Sequence, residues 1–422
     1  MRILVVGTGG REHALALKLA RDGHEVHAAP GNPGIAAIGA VHEVAIADQP
    51  SVADLAVAIG ADLVVVGPEA PLVAGLADAV RDAGIPVFGP SGEAARLEGS
   101  KAFSKAVMEA AGVPTARAIV AGSPAEAAAA LEELGAPYVV KDDALAAGKG
   151  VVVTNDRAEA LAHATACGRV VVEEFLDGPE CSLFVVCDGT TGRALQPAQD
   201  FKRVFDGGRG PNTGGMGSYS PLPWAPAALR ETVLRDVVQP TLEEMARRGA
   251  PFVGCLYVGL ALTRSGPRVI EFNVRFGDPD IQPVLALLES DLGELLLAAA
   301  TGRLRELPEP VFADGASVTV VLASRGYPES SSSGDVIAGV EAAAAHPRVD
   351  VIHAGTATDA SGRLVTAGGR VLAVRAAGDS IADARARAYE AAAEIAFDGL
   401  QRRTDIAAEP LGVVEGAAVL DS

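Results

Sequence analysis

Short apolar runs recur along this chain at intervals that suit alternating strands and helices. Ile3–Val6, Glu25–Ala28, Leu63–Val66 and Pro86–Phe88 read as strands with helical stretches between them. That alternation predicts a parallel, doubly wound sheet over roughly the first hundred residues, because parallel strands need helical crossovers. Ser100 to Glu109 reads as the helix that opens a second domain. A smaller lobe starts at Val113–Leu131 and returns through two strands, Tyr138–Lys141 and Val151–Val153; the chain between Asp156 and Val170 suffices for one helix. Residues 181 to 324 are expected to carry the main sheet of this domain. Ser330–Gly334 is a polar loop. The strands Ser317–Leu322 and Arg370–Val374 and an alanine-rich helix from Ser380 to Phe397 predict a final α+β domain. Alanine there is a helix former, not a mark of low complexity. The expected division is 1–100, 101–325 with the small lobe at about 119–187, and 326–422.

One alternation carries more than fold. In Val269-Ile270-Glu271-Phe272-Asn273-Val274-Arg275-Phe276-Gly277-Asp278-Pro279-Asp280, Ile270, Phe272 and Val274 fall on one strand face and Glu271, Asn273 and Arg275 on the other. Glu and Asn supply the hard oxygens that Mg²⁺ takes when it also holds phosphates. Arg275 adds a planar fork for a phosphate or carboxylate. The face is a metal–phosphate platform or a solvated face with an i, i+2 ion pair. A second signal is the hairpin around Lys141, whose loop Asp142-Asp143-Ala144-Leu145-Ala146-Ala147-Gly148-Lys149-Gly150 carries another lysine. Small residues let such a backbone approach phosphates closely. It is not a Walker loop, since Asp143 stands where that pattern needs Gly and Gly150 where it needs Ser or Thr. A third is Val170-Val171-Val172-Glu173-Glu174-Phe175-Leu176-Asp177-Gly178-Pro179-Glu180, an apolar strand running into two acids and a turn. An extended hinge with an apolar slot suits adenine, and a later carboxylate suits ribose hydroxyls.

Composition narrows the partners. At 422 residues the chain should hold two to four domains, and 49% hydrophobic content is globular. A net charge of −19 argues against nucleic acid and anionic membrane as partners. Anionic small molecules must then be met by local clusters of Lys and Arg. The four cysteines, Cys167, Cys181, Cys187 and Cys255, form no C-x-x-C pair, which suits reduced thiols in a cytosol. No signal peptide and no apolar run long enough to span a bilayer is read.

The order of lysine strand, glycine-bearing loop, E-E-F-L hinge and E-F-N strand resembles the ATP-grasp superfamily. Further segments are similar to one family within it, the phosphoribosylamine–glycine ligases of purine synthesis. These are Gly7-Thr8-Gly9-Gly10-Arg11-Glu12-His13-Ala14, Ala29-Pro30-Gly31-Asn32, Gly67-Pro68-Glu69-Ala70-Pro71-Leu72, Leu97-Glu98-Gly99-Ser100-Lys101, Pro211-Asn212-Thr213-Gly214-Gly215-Met216-Gly217 and Arg275-Phe276-Gly277-Asp278-Pro279. The resemblance runs from residue 2 to about residue 405. It implies an α/β protein with an ATP-grasp fold, a phosphoribosylamine-binding first domain, a small lid and a C-terminal α+β domain. It implies a ligase that makes glycinamide ribonucleotide from ATP, glycine and 5-phosphoribosylamine through glycyl phosphate, with Mg²⁺ or Mn²⁺, as a cytoplasmic monomer. Lys105, Lys141 and Lys149 are then expected at ATP phosphates. Glu173, Glu174 and the Phe175–Leu176 backbone are expected at adenine, and Glu180 at the ribose. Glu271 and Asn273 are the expected metal ligands. Arg275 would steady the acyl phosphate and Asp278 would orient the amine or glycine, with Lys141 counted beside them as catalytic. Gly9 and Gly10 read as a monophosphate site at a helix start, with Asn32, Glu69 and Lys101 beside it. Asp200, Lys202, Arg203 and the Asn212, Thr213, Gly214, Gly215, Met216, Gly217 turn are expected at the acyl phosphate, the turn through free N–H groups. His13 is expected to pack.

Three positions depart from the family pattern. Phe201 stands where the family has His in Q-D-H-K-R, so no proton transfer is assigned there. Ala144 replaces a Gly, which stiffens the loop. Leu256-Tyr257-Val258 lacks the extra carboxylate many ATP-grasp enzymes carry, which leaves Glu271 and Asn273 to hold the metal. A dinucleotide site is excluded, because its third Gly would be Glu12 and its ribose acid is missing after the second strand. The rivals are another ATP-grasp enzyme of the purine route that transfers formyl or carboxyl groups, and a non-catalytic nucleotide-binding protein. The N-terminal motifs oppose the first. The full set Lys141, Glu271, Asn273 and Arg275 opposes the second.

Overall fold

The computed structural model describes residues 1–144 and 150–408. The first sheet is parallel, ordered Ala40–Val41, Glu25–Pro30, Arg2–Gly7, Leu63–Val66, Val87–Phe88. The chain winds to one side of Arg2–Gly7 and then to the other, so the crevice beyond Gly7 is a topological switch point. Ile3 and Val5 enter one core while Leu4 and Val6 enter another. A strand buried on both faces reads as an unbroken apolar run, which is why it was legible. The edge strand Ala40–Val41 is exposed on both residues and was not.

Helix Lys101–Ala111 leads into the small lobe, an antiparallel sheet ordered Ala118–Ala121, Val170–Glu173, Tyr138–Asp142, Val151–Thr154. Helices Pro124–Leu134 and Arg157–Cys167 belong to it, and Ala121, Leu131, Val140, Val170 and Val172 give it a core of its own. The lobe's pairing ends at Glu173. Strand Glu180–Asp188, inside the range expected for the lobe, belongs instead to the next sheet, ordered Gly192–Ala194, Glu180–Asp188, Val253–Thr263, Gly266–Asn273.

Residues 181 to 324 do not form one sheet. Gln199–Asp200, Gly217–Ser220 and Ala316–Ala323 pair with Arg370–Gly378 and Val349–His353 in a five-stranded sheet. The glycine-rich turn is thus tied to the C-terminal sheet. Alternation tells which face a residue takes, not which strand lies beside it. A further sheet joins Ser333–Val336, Leu364–Ala367 and Thr356–Thr358, so the serine run ends in a strand. The alanine-rich helix is Ile381–Glu394, started by Ser380, whose Oγ accepts from Asp383 N–H. Among the described residues no helix is long and apolar enough to cross a membrane. All four cysteines are free.

Candidate active site

The strand Gly266–Asn273 sets the site. Its partner residues run Tyr257↔Asn273, Gly259↔Glu271 and then Leu260↔Val269, so Ile270 is an extra, bulged residue. The strict alternation expected from the sequence therefore breaks there. A bulge turns one side chain out of register, and Ile270 lines the same pocket as Glu271, Tyr257 and Lys202. Val269 takes its place in the core, with Phe272 and Val274. Gly259 lies opposite Glu271, and a Cβ there would meet Glu271 Cγ at 3.4 Å. Burial works to raise the Glu271 carboxyl, but Lys141, Lys202, Lys101 and Arg275 outweigh it and hold it below the usual glutamate range. An ionised carboxylate and a carboxamide at alternate positions are the donors found. Among the described residues no cluster of three or more His, Cys, Asp or Glu could hold a metal. Tyr257 meets Ser182 Oγ at 2.8 Å through its hydroxyl.

Above this strand, Glu173 is 3% exposed and pairs with Lys105 at 3.2 Å and Lys141 at 3.0 Å. Glu173 was expected at adenine; here its carboxylate fixes two lysines. Lys105 Nζ also donates to Thr115 Oγ1 and Ala116 O, at 2.8 and 3.1 Å. Burial lowers the Lys105 ammonium to about 8. Lys141 Nζ donates to Ile270 O at 2.9 Å, which leaves one N–H for a ligand. Glu174 binds Arg117 N–H and Arg268, at 2.9 and 2.7 Å. The Phe175 and Leu176 amide groups have no hydrogen-bond partner among the described residues. Glu180 pairs with Lys202 at 2.9 Å, and that carboxylate holds the Lys202 ammonium well above the usual lysine range. Lys149 lies outside the described residues. Asp143, in the same loop, accepts from Ser100 Oγ and Ala102 N–H at 3.0 and 2.8 Å and pairs with Arg169 at 2.7 Å. Its charge is spent on the start of helix Lys101–Ala111. Lys101 Nζ reaches Ala144 O at 3.4 Å.

The expected row of free N–H groups in the glycine turn is absent. Thr213 N–H donates to Lys202 O, Gly214 N–H to Tyr327 Oη, Gly215 N–H to Thr213 Oγ1 and Met216 N–H to Phe201 O. Each donor is consumed in anchoring the turn, with Met216 buried and Gly217 starting a strand. Asn212 ends the strand Arg209–Asn212, paired with Arg203, whose Nη1 donates to Gly210 O at 2.6 Å. Asp200 pairs with Ser218, and its Oδ1 would meet a Cβ on Gly215 at 2.6 Å. Phe201 lies under the Arg403 guanidinium, 5.1 Å from ring centre, and packs on Tyr219.

The first domain contributes from the other side. Gly9 N–H donates to Glu12 Oε2 at 2.6 Å, so that amide is taken by the protein's own carboxylate. Asn32 is likewise committed: its amide donates to Thr8 O and His353 O, and its Oδ1 accepts from Ile35 N–H. Gly10 faces Asp278, whose Oδ1 would lie 3.0 Å from a Cβ placed there. Arg275 bridges Glu69 at 3.3 Å and Glu98 at 3.0 Å. Glu98 also accepts from Val274 N–H at 2.8 Å. Asp278 is held by Gln282 at 2.7 Å and Arg370 at 2.9 Å. Sequence reasoning missed Gln282, Arg370, Tyr327 and Tyr257. Arg370 follows Gly368-Gly369, a turn signal without an adjacent motif, and only the fold brings it to Asp278.

Glu271 and Asp278 thus sit at the two ends of one short segment, one facing lysines and the other the first helix. The chain is similar to known proteins along most of its length. The phosphoribosylglycinamide synthetase N domain matches residues 1–98, its ATP-grasp (A) domain 99–281 and its C domain 317–409. A phosphoribosylamine–glycine ligase of Streptomyces coelicolor is 61% identical over 98% of this chain and 100% of its own length. One from Mycobacterium tuberculosis is 53% identical, over 96% and 97%. The crystal structure of phosphoribosylamine–glycine ligase from Thermotoga maritima superposes with a TM-score of 0.84 at 34% identity, covering 96% of this chain and 100% of that one. The biotin carboxylase domain of Hydrogenobacter thermophilus 2-oxoglutarate carboxylase has a TM-score of 0.71 at 19% identity, covering 95% and 91%, and shares the fold alone. With three domain models matched in order and relatives similar end to end, the chain belongs to the phosphoribosylglycinamide synthetase family, with an ATP-grasp domain at its centre.

Proposed function

We propose that this chain joins glycine to 5-phosphoribosylamine at the expense of ATP, giving glycinamide ribonucleotide, ADP and phosphate, as a cytosolic step of purine synthesis. The observation that carries the reading is the segment 271–278. Its Glu271 end faces Lys141 and Lys202, and its Asp278 end faces Gly10 of the first domain. One strand and one turn thus join a nucleotide cleft to a second-substrate cleft.

A glycine carboxylate oxygen attacks the γ-phosphorus, and the bond to the ADP oxygen breaks. The amine nitrogen then attacks the carbonyl carbon of glycyl phosphate. Phosphate leaves with the glycine oxygen, and the nitrogen loses a proton. Carboxylates resist nucleophiles, so phosphorylation supplies the leaving group; the protein positions the reactants and neutralises charge. Lys141 reaches toward the phosphates with its free N–H, while Lys105 holds Glu173. Phe175 and Leu176 offer backbone groups to adenine, and Glu180 lies beside Lys202 at the ribose end. Arg275 fixes Glu69 and Glu98 between the two clefts. Asn32, Gly9 and the turn residues Thr213, Gly214, Gly215 and Met216 act by shape, since their N–H groups are engaged within the protein.

Glu271 and Asn273 fit Mg²⁺, with Mn²⁺ the alternative. They are two oxygen donors, one ionised, and Mg²⁺ characteristically takes few protein ligands and completes its shell with phosphates and water. When bound, the ion would neutralise charge on the transferring phosphoryl group. The lobe Ala118–Glu173, with its separate core, acts as the lid.

The test is isotopic. Glycine labelled with ¹⁸O in its carboxylate should yield labelled inorganic phosphate, with ADP as the nucleotide product. Label in AMP, or unlabelled phosphate at complete turnover, would overturn the acyl-phosphate route.

A further inference from the structure

Asp278 is gripped from two directions. Gln282 Nε2 donates to Oδ1 at 2.7 Å and Arg370 Nη2 to Oδ2 at 2.9 Å. Arg370 Nη1 donates as well to the main-chain oxygen of Asp278, at 2.6 Å, and to Gly214 O. One guanidinium therefore fixes both the side chain and the backbone of Asp278 and ties them to the glycine turn. The surroundings are built for it. A Cβ on Gly214 would lie 3.0 Å from Arg370 Cζ, and one on Gly369 would lie 2.4 Å from the Tyr327 ring, whose hydroxyl accepts from Gly214 N–H. Side chains at either position would push the guanidinium or the ring away.

The clamp leaves acceptors over. Each carboxylate oxygen of Asp278 keeps a lone pair beyond the donor it has. Gln282 is 1% exposed, and its Oε1 has no hydrogen-bond partner among the described residues. Leaving a buried acceptor unmet costs stability, because it gives up its hydrogen bonds to water and gains none. A strut between domains has no reason to keep one. Spare acceptors beside Gly10, at the face where the first domain meets the segment 271–278, call for a ligand that donates. Glycine and phosphoribosylamine both bring an amine in the function proposed above, on which this inference rests; the place of these acceptors against Gly10 of the first domain, away from Glu271 and its lysines, assigns them to phosphoribosylamine.

We infer that Arg370 is a positioning residue that, with Gln282, sets the Asp278 carboxylate to receive the amine of phosphoribosylamine, so that the C-terminal sheet completes the second-substrate site.

The experiment measures KM for each of the three substrates in the full-length protein with Arg370→Gln, Arg370→Lys, Asp278→Asn and the Asp278→Asn/Arg370→Gln pair. Arg370→Gln is expected to raise KM for phosphoribosylamine at least fivefold, with KM for ATP and glycine within twofold of the parent. Because Arg370 acts through Asp278, the double variant should be no worse than Asp278→Asn alone. A phosphoribosylamine KM within fivefold of the parent, a parallel rise in all three KM values, or additive losses in the pair would overturn the inference. If Arg370→Gln fails to fold, Arg370→Lys, which keeps the charge but not the fork, must show the same selective rise, and its absence overturns the inference equally. A parent protein that makes no glycinamide ribonucleotide refutes the proposed function. A parent that makes it, with Arg370 variants of unchanged KM, refutes this inference alone.

Discussion

Two ammonium groups, Lys105 and Lys141, meet one buried carboxylate, Glu173. Removing a partner from such a group costs about 3–5 kcal/mol, because a charge is left dry and unpaired. The arrangement therefore fixes where Lys141 can stand, and Lys141 in turn holds the bulged Ile270 through its carbonyl. Glu271, the next residue, is the only charged member of the oxygen pair, and four cations keep it ionised. Glu271→Gln removes that charge with little change in shape. Turnover is expected to fall by several orders of magnitude while the melting temperature stays near that of the parent. A loss of under about tenfold, roughly 1.4 kcal/mol of barrier, would overturn the proposal that Glu271 is a metal ligand. At this scale the sequence was legible in the placement of Glu271 and Asn273 at alternate positions of one strand, opposite Gly259 and Tyr257. It was not legible at Thr213–Met216, where glycines suggest open N–H groups but each amide is bonded. Glycine signals that the backbone can approach something closely, and here the thing approached is Arg370, Asp200 and Pro279.

Among elements, the small lobe has the independence a moving part needs. Its sheet and two helices bury their own apolar side chains, so it can shift without opening the main cores. Its contacts with the preceding helix include polar ones, Asp143 on Ser100 and Ala102, Lys101 on Ala144 and Lys105 on Glu173. Binding of ATP and Mg²⁺ is expected to slow amide hydrogen exchange across Tyr138–Asp142 and Val151–Thr154 relative to the free protein. Unchanged exchange in both strands would count against closure on the nucleotide. These strands were predictable because Val-rich runs flank a loop of small residues. The partnership of Gly217–Ser220 with Ala316–Ala323 was not, because about a hundred residues separate strands that pair side by side. The same limit hid the bulge at Ile270, which depends on the partner strand as much as on its own residues.

Across the whole molecule, the first and last domains lock together through residues far apart in sequence. His353 N–H donates to His13 Nδ1 at 2.7 Å, His353 O accepts from Asn32, and Arg21 and Arg375 share Asp350. The packing role expected for His13 is met, although no local pattern pointed to His353 as its partner. Both rings are buried, and a Cβ on Gly34 would strike each of them. Burial, followed by the charges of His353 and Arg375, lowers the His13 imidazole to about 3, and burial lowers His353 to about 4. Each histidine is therefore neutral in the fold and binds a proton more readily in the unfolded chain. The stability this represents is fully present above the unfolded value near 6.5 and is lost as pH falls toward 3 or 4. Each group contributes at most about 1.4 kcal/mol per pH unit within that window. His13→Asn keeps an acceptor near Nδ1 but cannot titrate. It should be less stable than the parent at pH 7 because the ring's packing is lost. Urea unfolding from pH 7 to 4.5 should then show the gap narrowing by about 1.4 kcal/mol per unit below pH 6, as the parent loses what the variant never had. A gap that stays constant over that range would mean that the His13–His353 contact does not set the acid stability of the domain junction.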